Sequence, residues 1–143
     1  MNALKTYLLY ALLVVLVFSC DKRLCGCTPP PSALIGEWKL SRITYGLTQK
    51  TVTATEAGYS ETLLFNGSEK GGTYRLTRNG LLVNSGDYSL SFPNGGSTEG
   101  LMYFLNNTTQ QSFRLIDKIL ILSERGPRGA TIADGSTYEY QRR

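Results

Sequence analysis

The chain contains no histidine. That absence removes the commonest general base near neutral pH and the commonest metal ligand together. Charge is also scarce: Asp, Glu, Lys and Arg make up 18% of the 143 residues, against about 25% in an ordinary globular chain. The formal net charge of +4 is spread along the sequence, and nucleic-acid binding needs a clustered basic face. Tryptophan occurs once. The long apolar run at Tyr7 to Phe18 is well short of the about 20 residues that a transmembrane helix requires. What is present points elsewhere. Hydrophobic residues reach 41%, with 15 glycines and nine tyrosines, a composition that can bury a core and is unlike a disordered chain. The length suits one domain, with or without a tail.

Lys5 followed by the uncharged run YLLYALLVVLVF has the form of a secretory signal. The run ends in Val17-Phe18-Ser19-Cys20, which resembles the lipobox of bacterial lipoproteins: an aliphatic residue, then a small one, then cysteine. The resemblance implies that residues 1–19 are removed and that Cys20 is lipidated on its thiol and new amino group. Acyl chains at about 0.8 kcal/mol per buried CH₂ give stable anchoring. The expected location is therefore the cell envelope, on the periplasmic face or the surface of the outer membrane. The membrane is the expected partner of that anchor, and the lipid on Cys20 the only expected prosthetic group.

Residues 20–33 read as a tether. Pro29-Pro30-Pro31 favours extended polyproline II, and small polar residues surround it. Cys25-Gly26-Cys27 lies inside this stretch. Two thiolates one residue apart do not complete a zinc site. A strained disulfide, intermolecular pairing and capping of both thiols remain open. No metal site is expected.

Residues 34–143 carry short Tyr/Leu/Ile/Phe/Thr runs cut by Gly, Asn and Pro, with no long 3.6-residue period. The expected strands are Trp38–Tyr45, Ser60–Asn66, Thr73–Arg78, Leu81–Phe92 with a bend at Ser85-Gly86, Leu101–Asn106, Ser112–Asp117, Ile119–Ser123 and Thr137–Arg142. Tyr74 and Leu76 alternate with Arg75 and Thr77, which gives one dry and one wet face. Asn79-Gly80 between two such runs is a strong hairpin signal. No gap leaves room for a crossover helix. The reading is an all-β, eight-stranded antiparallel up-and-down barrel, whose closure removes both edges.

Leu34-Ile35-Gly36-Glu37-Trp38-Lys39-Leu40 resembles the opening of the lipocalin superfamily and of small bacterial lipocalin-like lipoproteins. Glu61–Asn66, Ser85–Leu90, Leu120–Ser123 and Ala133-Asp134-Gly135 are also similar to the bacterial group. The resemblance implies that Gly36 and Trp38 enter the first strand and close one end of the barrel, with Arg142 or Arg143 packing across the tryptophan. It also implies a small apolar or amphipathic ligand inside. Tyr74, Tyr88 and Tyr103 are candidate inward contacts. Arg42 presents a conflict. Strict alternation puts it on the face of Trp38 and Leu40, where an unpaired arginine is costly. Either a bulge turns Ile43 inward, or Arg42 meets an anion inside. At the other end, the loops Gly46–Gly58, Asn79-Gly80, Asn107–Gln111 and Glu124–Ser136 share one rim. Lys50, Arg125 and Arg128 lie in them and are candidates for attracting an anionic ligand.

A catalytic reading finds no support. Histidine is missing, the cysteines lie in the tether, and Glu61, Asp87, Glu99, Asp117, Glu124 and Asp134 are scattered, most of them at turns or outward positions. No catalytic residues are expected, and the chain is read as a non-enzyme. Two functions compete: a ligand-binding barrel, and a solid barrel that engages an envelope protein through its surface.

Overall fold

A computed structural model describes residues 33–143. The expected leader, Cys20, and the tether with Cys25 and Cys27 lie outside the described residues. Alternating apolar and polar side chains make each short segment bury one face of a sheet. The strands are β1 (Gly36–Thr44), β2 (Thr51–Thr53), β3 (Glu61–Ser68), β4 (Gly71–Arg78), β5 (Leu81–Ser91), β6 (Glu99–Phe104), β7 (Thr109–Ile116), β8 (Ile119–Ser123), β9 (Gly126–Pro127) and β10 (Thr137–Arg142). Eight of them, all but β2 and β9, follow one another antiparallel, and β10 pairs with β1 to close the barrel. The expected up-and-down barrel is what forms. β2 pairs with the upper half of β1, beyond the reach of β3, and β9 pairs with the start of β7.

Two irregularities set which side chains face in. In β1 the pairing with β10 shifts between Leu40 and Arg42, so that Ser41 is extra and its hydroxyl donates to the Glu139 carbonyl at 2.9 Å. The shift turns Ile43 inward, 2% exposed, and Arg42 outward beside Glu139 at 3.7 Å. The inner-anion reading of Arg42 is thereby corrected: a bulge resolves the conflict. In β5 the pairing with β4 shifts opposite Leu76/Thr77, which leaves Val83 as the extra residue. Ser85 and Gly86, where a bend is expected, pair in regular register with β4, and the register shift falls at Val83.

The interior is a continuous core of Leu34, Trp38, Leu40, Ile43, Leu63, Phe65, Tyr74, Tyr88, Met102, Phe104, Phe113, Leu115, Leu120, Leu122 and Tyr140. Phe65 meets Tyr88 edge-on at 5.1 Å, and Tyr74 meets Phe104 at 4.9 Å. Each buried aliphatic or aromatic side chain contributes about 1.5–3 kcal/mol relative to exposure.

One end is closed by its own chain entry. The Trp38 indole is fully buried, and its N–H donates to the Leu34 carbonyl at 2.8 Å. The Arg142 guanidinium lies 5.1 Å from the centre of the Trp38 ring and donates to the Ile35 carbonyl. Arg143 pairs with Glu37 at 2.6 Å. Gly36 sits at φ +132°, and a β-carbon there would press on the Arg142 side chain at 3.3 Å.

Candidate functional site at the open end of the barrel

The strand order gathers the segments 45–60, 79–80, 105–108 and 124–136 at the end opposite Trp38. The last of these is held to the outer wall of β7. Arg128 N–H donates to the Thr108 carbonyl at 3.0 Å, and the Gln110 side chain bridges Gly129 and Ala130. Inside the same segment Glu124 accepts from Ser136 N–H at 2.7 Å. This stitching divides the two arginines of the segment. Arg125 turns over the barrel mouth, while Arg128 turns outward onto the Tyr103 ring at 4.8 Å.

The Arg125 guanidinium lies 3.4 Å from the centre of the Phe104 ring and 5.2 Å from that of Tyr74. Its Nη1 donates to the Tyr74 hydroxyl at 3.3 Å, and that hydroxyl donates to Asn84 Oδ1 at 3.1 Å. Arg125 has no carboxylate partner among the described residues. Tyr88, deeper on β5, is 2% exposed, and its hydroxyl has no hydrogen-bond partner among the described residues. Burial pushes the Tyr88 phenol up to about 12.

A second inward polar group lies on the β1–β3–β4 side. Glu61 is 4% exposed. One of its oxygens accepts from the Tyr140 hydroxyl at 2.6 Å, and the other accepts from Arg78 Nη2 at 2.7 Å and Nε at 3.0 Å. The Tyr59 ring covers the Arg78 guanidinium at 4.3 Å. Burial first, then the Glu61 charge, holds the Tyr140 phenol well above its usual value. The Glu61 hydrogen bond raises Arg78 in turn. This carboxylate is satisfied on both oxygens, so it works as a brace between β3, β4 and β10.

Of the residues proposed from sequence, Tyr74 and Arg125 meet at the mouth, and Tyr88 faces inward against Phe65. Lys50 stands exposed on the rim. Tyr103 and Arg128 are corrected to the outer wall: Met102 and Phe104 take the inward phase of β6, so Tyr103 must face out. Glu61, Arg78 and Tyr140 were not in that set. The signal for Glu61 was its phase, two and four residues before the inward Leu63 and Phe65. Its cross-strand neighbour is Arg78.

Apolar surface collects around the same mouth. Seven of the eight large exposed hydrophobics are there: Tyr45, Leu47, Leu81, Leu82, Val83, Leu105 and Ile132. Leu81, Leu82 and Val83 are consecutive and 75, 59 and 53% exposed. On the outer wall, an open recess of about 470 Å³ runs over Leu101, Ser112, Arg114 and Ile121. A smaller one of about 150 Å³ adjoins it and shares Leu101, Ser112 and Ser123. Among the described residues no group of three or more His, Cys, Asp or Glu is placed to hold a metal ion.

No family model matches the chain, and no curated protein matches it. Among solved structures it is similar to the Schistosoma mansoni fatty acid binding protein in complex with arachidonic acid, at 11% identity, with 78% of this chain and 97% of that one covered and a TM-score of 0.48.

Proposed function

We propose that the protein is a lipid-anchored lipoprotein of the cell envelope whose lipocalin-like barrel holds a small apolar or amphipathic molecule at its open end. The observation that carries this reading is the convergence of inward polar groups beneath that end. Tyr74, Asn84 and Arg125 form a hydrogen-bonded row at the mouth, and the inward Tyr88 hydroxyl is unmet among the described residues. Small-molecule sites are mostly apolar with a few converging polar groups, and buried polar groups are ordinarily paired. The closed-end half is filled by Trp38, Phe65, Met102, Phe113 and Leu120. The same continuous core runs on through Tyr74, Tyr88 and Phe104, so the ligand sits at the mouth, over the collar of Leu81, Leu82 and Leu105. Cys20 carries the anchor, the outer membrane is the site of residence, and no enzymatic step is assigned.

A second reading has its own support: the barrel is solid and docks an envelope protein. The two adjoining outer-wall recesses and the exposed apolar collar favour it. Native mass spectrometry of the full protein, extracted from the envelope in mild detergent, separates the two. The ligand reading expects a reproducible adduct that is lost on denaturation. A clean apo mass, unchanged after incubation with envelope lipids, sends the assignment to the docking reading.

A further inference from the structure

Arg125 is the half-buried cation of the barrel interior that the fold leaves uncompensated. Arg42, Arg78, Arg114 and Arg143 each meet a carboxylate. Arg142 is exposed and covers Trp38, Arg128 is exposed on the outer wall, and Arg75 is exposed on β4. Among the described residues Arg125 alone combines partial burial with a position over interior rings, Phe104 at 3.4 Å and Tyr74 at 5.2 Å. Aromatic faces attract a cation without neutralising it. A guanidinium offers five donors in a planar fork, and one of them is used, toward the Tyr74 hydroxyl. That hydroxyl spends its own proton on Asn84 Oδ1. The row is thus ordered as donors facing the mouth, with the guanidinium outermost.

We propose that Arg125 reads the head group of the ligand, and that the ligand is an oxyanion, carboxylate or phosphate, on an apolar chain. The inference rests on the reading of the open end as a ligand site and adds the chemistry of the head. The two oxygens of such a head match the free side of the guanidinium fork. The chain then lies along the collar of Leu81, Leu82 and Leu105, which is exposed at the same end.

The test uses the full chain in mild detergent and three probes of equal chain length: decanoate, decyl phosphate and decan-1-ol. Occupancy is read by native mass spectrometry. Charge-assisted hydrogen bonds make the anionic probes bind about tenfold or more tightly than the alcohol. In Arg125→Met, which keeps the packing on Phe104 but loses the charge, that preference falls to about twofold or less; Arg125→Lys, which keeps the charge but loses the fork, falls between. Decanoate against decyl phosphate tells which oxyanion is preferred. Equal binding of acid and alcohol to the unmodified protein overturns the head-group assignment and leaves the ligand site standing. A preference that survives Arg125→Met with a native-like melting curve also overturns it. Failure of all three probes to bind counts against this inference and against the ligand site on which it rests.

Discussion

Tyr88 brings a hydroxyl into the barrel that has no hydrogen-bond partner among the described residues, at 2% exposure. An unpaired buried polar group costs about 1–3 kcal/mol, so Tyr88→Phe is expected to be neutral or to stabilise the ligand-free protein by about 1 kcal/mol. Urea unfolding of the two proteins checks this; a clear destabilisation would mean that the hydroxyl is paired after all. Glu61 is the opposite case. Glu61→Ala removes the acceptor of the buried Tyr140 hydroxyl and the partner of Arg78. Because Arg78 keeps substantial access to water, the cost is set at about 2 kcal/mol rather than the full value of a broken buried pair. Glu61→Gln keeps an acceptor and is expected to lose less. The same unfolding experiment reads both, and an unchanged midpoint for Glu61→Ala would remove the brace from the account.

At the scale of elements, the rim loops are set by a close approach. A β-carbon on Gly46 would lie 2.1 Å from the Asp134 carbonyl oxygen and 2.4 Å from that of Gly135. Backbone cannot give way there as a flexible side chain can. Gly46→Ala is therefore expected to push the 45–50 turn and the 124–136 segment apart, lower the melting temperature by several degrees, and speed amide hydrogen exchange at Arg125 and Gly126. Unchanged exchange there would show the two loops to be independent. Much of this architecture was legible in the sequence. The eight barrel strands follow from two-residue alternation, and Asn79-Gly80, with φ of 51° and 80°, marks the β4–β5 turn. β2 and β9 were not legible, because strands of three and two residues carry no period; they exist only because neighbouring strands offer them a place. The inward face of β1 was legible only as a conflict at Arg42, and the bulge at Ser41 that settles it has no composition signal. Glu61 was misread because a carboxylate at a strand start ordinarily marks a turn. Tyr103 misled because a tyrosine beside an arginine can lie on either side of a wall.

At the scale of the whole molecule, the barrel gathers several tyrosines out of water. The unfolded chain releases tyrosyl protons near pH 10, whereas Tyr88 holds its proton up to about 12 and Tyr138, Tyr59 and Tyr140 titrate above their usual value, burial being the first cause in each. Above pH 10 the unfolded state therefore binds fewer protons than the folded one, so stability falls as pH rises. The contribution is fully present below pH 10 and is lost as pH passes through the folded values. Denaturation midpoints should decline from pH 10 toward 12, with tyrosinate absorbance lagging behind that of the denatured chain. A midpoint that stays flat over that range would contradict the buried placement of these phenols. Polarity inside and apolarity outside both concentrate at the end opposite Trp38, and the proposed ligand site rests on this asymmetry. The most direct test is amide chemical-shift mapping of the isotope-labelled protein during titration with envelope lipid extract. The account predicts shifts confined to Tyr74, Asn84, Tyr88, Phe104, Arg125 and the collar of Leu81, Leu82 and Leu105; shifts instead along Leu101, Ser112 and Ile121 of the outer wall, or none at all, would contradict it.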